Sequence, residues 1–253
     1  MQNTTDRDFK GPKRLEVDFS TCMTDAFKYY CMKVKEGDLS LLIYKGANEK
    51  TVPEYSGLEM VDQDLYGSKV IPVGADNNDE TDHVWHETKM LWHSDRSYSS
   101  DVHPVVGLYC QSAPEGSATT LFCDMQQAWR DASTELKEKS NIWCIHDVDK
   151  YFQQAQYPHT FKPRMEKIYR KRSKARHPLT MNDKSGTYFF YSPAYTYCDH
   201  EEELLEHIIQ DKYIYEHHWK DNDLLIYNNL KIIHSRGETA SDVKRRHLRY
   251  ALT

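Results

Sequence analysis

Apolar residues recur along the chain with two periods, one helical and one extended. Phe19, Met23, Phe27, Tyr30, Cys31 and Val34 return at helical spacing behind the cap candidates Asp18 and Ser20, which predicts a helix covering one side of a core. Leu39 to Tyr44 reads as a strand closed by Gly46. From 47 to 85 the pattern dissolves into polar, turn-rich sequence, densest from Gly74 to His83, which predicts a loop and an entrance. Short runs rich in β-branched and aromatic residues follow: Val105 to Cys110, Thr119 to Cys123, Thr187 to Tyr191, Leu224 to Tyr227, Lys231 to His234 and His247 to Leu252. Two helices interrupt them. One starts near Asp124 with Met125, Ala128, Trp129, Ala132 and Leu136 on one face, and the other follows Asp199 with Leu204, Leu205, Ile208 and Ile209 inward. Lys212 to Lys220 also reads as helical, with His217 and His218 on its surface. Residues 1 to 17 are polar and are expected to be poorly ordered. With no internal repeat and no second-domain linker, the expectation is one domain over 1–253, mainly β with covering helices, of the jelly-roll sandwich type.

Composition supports a folded chain: 39% of the 253 residues are hydrophobic and 12% aromatic. The net charge of −6 argues against nucleic acid or an anionic membrane as a partner. One local exception runs from Lys162 to Arg176, where Lys162, Arg164, Lys167, Arg170, Lys171, Arg172, Lys174 and Arg176 are offset only by Glu166. It reads as a solvated loop face or, more sharply, as a lid that attracts an anionic substrate. The cysteines at 22, 31, 110, 123, 144 and 198 form no CxxC pair, so a disulfide framework or zinc ribbon is not expected. Neither a signal core nor a membrane-length apolar run is present, which makes the reducing cytoplasm the expected location.

The segment Leu91-Trp92-His93-Ser94-Asp95-Arg96-Ser97-Tyr98 contains an H-x-D pair, and extended backbone there places both side chains on one side. With 13 histidines in the chain such a triplet also arises by chance as a surface pair, so a third ligand is required. His234 is the best candidate, because it ends the apolar strand Lys231-Ile232-Ile233 and precedes the basic cluster Lys244-Arg245-Arg246. Two histidines and one carboxylate on one face of an ion leave three positions open, the facial arrangement suited to Fe(II) and O₂ chemistry. A buried guanidinium would then suit a dicarboxylate co-substrate. Strand alternation groups Arg246 with Leu248, Tyr250 and Leu252, and Arg245 with His247 and Arg249. The apolar company of Arg246 predicts that it points inward.

The order H-x-D, then a Gly-rich T-L-F segment, then N-x-x-x-x-H and R-R-H-L resembles the taurine dioxygenase family, including its γ-butyrobetaine hydroxylase-like members, over residues 90–253. The resemblance implies a double-stranded β-helix of cupin-like form with His93, Asp95 and His234 as iron ligands. It implies Fe(II), O₂ and 2-oxoglutarate, with decarboxylation to succinate and CO₂ coupled to hydroxylation of an unactivated C–H bond in a small molecule. By the same resemblance, Thr120 in Gly116 to Phe122 and Arg246, matched through R-H-L, bind the distal carboxylate of 2-oxoglutarate; counting 11 residues from His234, the interval in some sulfonate-using relatives, selects Arg245 instead. His177-Pro178-Leu179 and the strand to Ala194 are also similar to the family. With Asp95 present, the position that related halogenases leave for chloride is filled, which favours hydroxylation. Two departures stand out. The usual W-D-N is Tyr227-Asn228-Asn229 here, and sulfonate-using members carry an arginine four residues beyond the co-substrate arginine, where counting from Arg246 gives Tyr250.

Two rival readings use the same residues: a zinc hydrolase, and a non-catalytic binding protein on the same barrel. Neither gives a reason for Arg246 and Thr120. His86-Glu87 reads as solvated loop rather than extra ligands, and Tyr188 to Tyr191 as core strand. Tyr195 and Tyr197 are candidates for the pocket. Assembly into homo-oligomers is compatible with the sequence.

Overall fold

The computed structural model describes residues 10–18, 24–63, 68–74, 90–154, 174–237 and 245–253. Its largest sheet runs β1 (Arg14–Asp18), β2 (Leu41–Lys45), β12 (Leu224–Asn228), β4 (Val105–Ser112), β14 (Arg246–Leu252) and β3 (Val70–Gly74), antiparallel except for the β1–β2 pair. A smaller sheet runs β11 (Ile214–His217), β5 (Thr120–Asp124) and β13 (Ile232–Arg236). A third joins β10 (Thr196–Tyr197), β6 (Trp143–Asp147) and β7 (Lys174–Pro178), and β8 (Thr180–Asp183) pairs with β9 (Gly186–Phe189) as a hairpin.

Burial explains the sequence of each sheet. In β2 every residue of Leu41-Leu42-Ile43-Tyr44 is buried because both faces are covered. Leu41 and Ile43 join Val106, Leu225 and Tyr227 against Phe122 and Ile232 of the smaller sheet, forming the interior of the sandwich. Leu42 and Tyr44 turn the other way, toward Phe27, Cys31 and Val34 of α1 (Thr24–Lys35), with the Phe27 and Tyr44 rings 4.6 Å apart. Each such side chain contributes about 1.5–3 kcal/mol on full burial. The outer face of the smaller sheet, through Cys123 and Ile233, packs on α3 (Met125–Asp131), α4 (Thr134–Lys139) and α6 (Glu201–Ile208). This two-sheet jelly roll with helices on its outer faces is the expected mainly β fold.

Several details differ from the sequence reading. The helix expected from Asp124 to Leu136 is two helices: Asp124 caps α3 by accepting from the Gln126 and Gln127 amides, Ala132 is extended, and Ser133 caps α4. Residues 47 to 85 are not all loop, since they hold α2 (Thr51–Tyr55) and β3, which closes the large sheet on β14. Residues 14 to 17, expected to be poorly ordered, form most of β1 on the edge of that sheet. Lys212 to Lys220 is not a helix. It holds β11, and His217 is buried rather than surface, bonded to Asp223 at 3.0 Å, while His218 is exposed. The remaining described helix, α5 (Val148–Gln154), flanks the site. Among the described residues no helix is long and apolar enough to cross a membrane, and Cys31, Cys110, Cys123, Cys144 and Cys198 are free thiols.

Candidate metal centre

Backbone pairing brings the two histidines together. His93 donates its amide to the His234 carbonyl at 2.9 Å and accepts the His234 amide at 2.8 Å, an isolated antiparallel bridge. Residues directly opposite in such a pair project from the same face, and the two imidazole centroids are 4.2 Å apart. Asp95, two residues on, returns to that side, and ligand atoms of His93, Asp95 and His234 lie within 4.8 Å of one another. All three residues are buried.

Asn229 fixes this segment from the neighbouring turn. Its Oδ1 accepts the Asp95 amide at 2.8 Å, and its Nδ2 donates to the carbonyls of Asp95 and His103, each at 2.9 Å. The Ser94 hydroxyl donates to the Asn229 carbonyl at 2.5 Å. Immediately after Asp95 the chain reverses through Arg96, whose φ of 57° is uncommon for a residue with a side chain and turns the backbone away from the centre.

The donor set fits a divalent cation. A carbonyl only accepts, so His93 Nδ1 donates to Leu91 O at 2.8 Å and Nε2 keeps its lone pair for a metal. His234 Nδ1 is buried with no hydrogen-bond partner. Burial and then the neighbouring His93 push His234 down to about 3, and burial lowers His93 as well, so both are neutral imidazoles able to offer a lone pair to a cation. Burial works to raise Asp95, but Arg249 and the surrounding imidazoles outweigh it and hold the carboxyl at about 2. Arg249 Nη1 donates to Asp95 Oδ1 at 2.9 Å and its Nε to Gln63 Oε1 at 2.9 Å. Tyr227, fully buried, sets its hydroxyl 3.4 Å from both Asp95 Oδ2 and His234 Nε2; burial and the Asp95 charge keep it protonated.

The structure corrects the inward placement of Arg246. Arg246 is exposed, and its neighbours Leu248 and Tyr250 face the α1 side of the sheet. Alternation does divide β14 into these two sets, but its apolar side is not the interior, because α1 buries the outer face as well. Arg245, His247 and Arg249 point into the sandwich instead. Arg245 donates to the Ala118 carbonyl at 2.5 Å, and burial followed by repulsion from Arg236 lowers it to about 9. Its place 11 residues after His234 was the signal available in the sequence. Thr120 is interior, buried on the same face of β5 as Phe122.

Of the other candidates, Tyr195 stands edge-on to His93 at 6.1 Å and packs on Tyr98 and Tyr151, whereas Tyr197 is 42% exposed. Tyr188 to Tyr191 are core. His86-Glu87 and the basic run up to Arg172 lie outside the described residues; Lys174 and Arg176 are exposed on β7.

The profile of the "Taurine catabolism dioxygenase TauD, TfdA family" matches residues 49–252. An α-ketoglutarate-dependent 2,4-dichlorophenoxyacetate dioxygenase of a Burkholderia species is 28% identical over 181 residues, covering 64% of this chain and 57% of the relative. Its counterpart in Cupriavidus pinatubonensis is 27% identical over 187 residues, covering 64% and 59%. The matches thus span less than two thirds of these relatives' length. The crystal structure of AAD-2 in complex with Mn(II) and N-oxalylglycine superposes with a TM-score of 0.74 at 15% identity, covering 96% of this chain and 94% of that one.

Proposed function

Because the chain belongs to the TauD/TfdA family, we propose that it is an Fe(II)- and 2-oxoglutarate-dependent dioxygenase that hydroxylates an unactivated C–H bond of a small molecule. The observation that carries this is the convergence of His93, Asp95 and His234 at one buried point, on an interior wall that also presents Arg245. Held by these three side chains, iron would supply the activation of O₂ that is coupled to oxidative decarboxylation of 2-oxoglutarate.

The protein's own residues bind and orient. Arg245 and Thr120 take the distal carboxylate of 2-oxoglutarate, the role first given to Arg246. Arg249 and Tyr227 engage the two oxygens of Asp95 and fix its rotamer. Phe122 and the Tyr98–Tyr195–Tyr151 cluster wall the centre against water. With Arg245 in the co-substrate role, the residue four positions on is Arg249 rather than Tyr250. The Tyr250 departure therefore no longer counts against a sulfonate, and small organic anions belong to the substrate class. We take the chain as one catalytic domain.

Oxygen uptake and succinate formation, measured with Fe(II) plus 2-oxoglutarate and with Zn(II) in its place, test the proposal. Uptake only with Fe(II) and 2-oxoglutarate is expected; its absence overturns the reading.

A further inference from the structure

Between Arg245 and Arg249 on the inward face of β14 sits His247, which the metal centre does not use. It is 3% exposed, and its Nε2 has no hydrogen-bond partner. Its ring is held edge-to-face by Trp219, with centroids 4.3 Å apart. Trp219 in turn donates its indole N–H to Thr120 Oγ1 at 2.9 Å. An indole nitrogen only donates, so the Thr120 hydroxyl accepts there and keeps its own proton for another acceptor. Burial first, and then the basic groups Arg245, His217 and Arg236, hold the His247 imidazole neutral. Arg245, Thr120 and the orphaned His247 nitrogen therefore offer donors along one interior wall, where the buried carboxylate of Asp223 is already engaged by His217 and Lys45.

We propose that His247 is a third donor to the distal carboxylate of 2-oxoglutarate, beside Arg245 and Thr120. A carboxylate only accepts, so it selects the imidazole tautomer with the proton on Nε2. This rests on the oxygenase reading above, and it assigns a role to a residue that otherwise leaves a buried polar atom unsatisfied.

The test is calorimetric binding to the full chain loaded with Mn(II) under anaerobic conditions, using 2-oxoglutarate and 2-oxopentanoate, which has a methyl group in place of the distal carboxylate. His247→Leu should weaken 2-oxoglutarate binding about ten-fold or more, as expected for a hydrogen bond to a charged group, and leave 2-oxopentanoate within about two-fold. His247→Gln, whose amide nitrogen reaches the position of Nε2, should recover most of the affinity, and the shorter His247→Asn should not. Unchanged 2-oxoglutarate affinity in His247→Leu, equal losses for both ligands, or equal behaviour of the Gln and Asn variants would each overturn the proposal. Should the wild-type chain bind Mn(II) but neither keto acid, the oxygenase reading fails first.

Discussion

Replacing Asn229 by alanine removes a side chain that makes three hydrogen bonds to buried backbone, two to Asp95 and one to His103. The substitution leaves the Asp95 amide, the Asp95 carbonyl and the His103 carbonyl without partners. Each buried group stranded in this way costs about 1–3 kcal/mol. Water entering the small cavity recovers part of that, so a total of about 3–5 kcal/mol is expected. At about 2–4 °C per kcal/mol for a chain of this size, the melting temperature should fall by about 6–20 °C. Because these bonds set the path of the backbone through Asp95, Mn(II) affinity should drop as well, by about 10- to 100-fold. Asn229→Asp is a stricter variant, since it keeps the shape but turns an oxygen toward two carbonyl oxygens; it should be at least as destabilising. Circular dichroism melts and urea titrations read the stability, and calorimetry of the folded protein at low temperature reads the metal. A melting shift below about 2 °C would refute the hydrogen-bond argument. Lost stability with unchanged Mn(II) affinity would instead refute the link between this clamp and the ligand geometry.

Alanine at His93, Asp95 or His234 should abolish tight Mn(II) binding while far-ultraviolet circular dichroism stays native, since none of the three belongs to the hydrophobic clusters; retained affinity removes that residue from the ligand set. Arg245→Ala should raise the dissociation constant for 2-oxoglutarate by tens-fold, whereas Arg246→Ala, at an exposed position, should change it little; titrations giving the reverse order would refute the assignment. Metal-free protein should lose stability as the pH falls below about 6.5. The folded-state values of His234 and His146 are about 3, so between these limits the unfolded chain takes up protons that the folded one refuses. Each imidazole then removes about 1.4 kcal/mol per pH unit; a urea midpoint that is flat from pH 6.5 to 4 counts against it.

Much of this arrangement is legible in the sequence because local patterns and tertiary structure agree. β4, β5, β12 and β13 are found within a residue or two of where β-branched and aromatic runs place them, and the H-x-D pair together with a histidine that ends an apolar strand before a basic cluster nominates His93, Asp95 and His234. β14 shows where such reasoning stops. Alternation divides its residues into two sets, but which set is interior depends on what covers each face, and the packing of α1 is a long-range fact. Tyr227 was visible only as a departure from W-D-N; that its hydroxyl reaches both Asp95 and His234 follows from the pairing of β12 with β4 and cannot be counted along the chain. β11 was misread because it is only four residues long and is held in place by β5 rather than by its own pattern.

The bridge between His93 and His234 joins positions 141 residues apart. During synthesis, residue 93 is therefore made long before its partner exists, and until then this site consists of one imidazole and one carboxylate. The three side chains can converge on one ion only after β13 has paired back against the segment that carries His93. On the proposed function, a stalled or clipped polypeptide lacking β13 would lack the third ligand, and oxidant formation would be confined to chains that have completed this pairing.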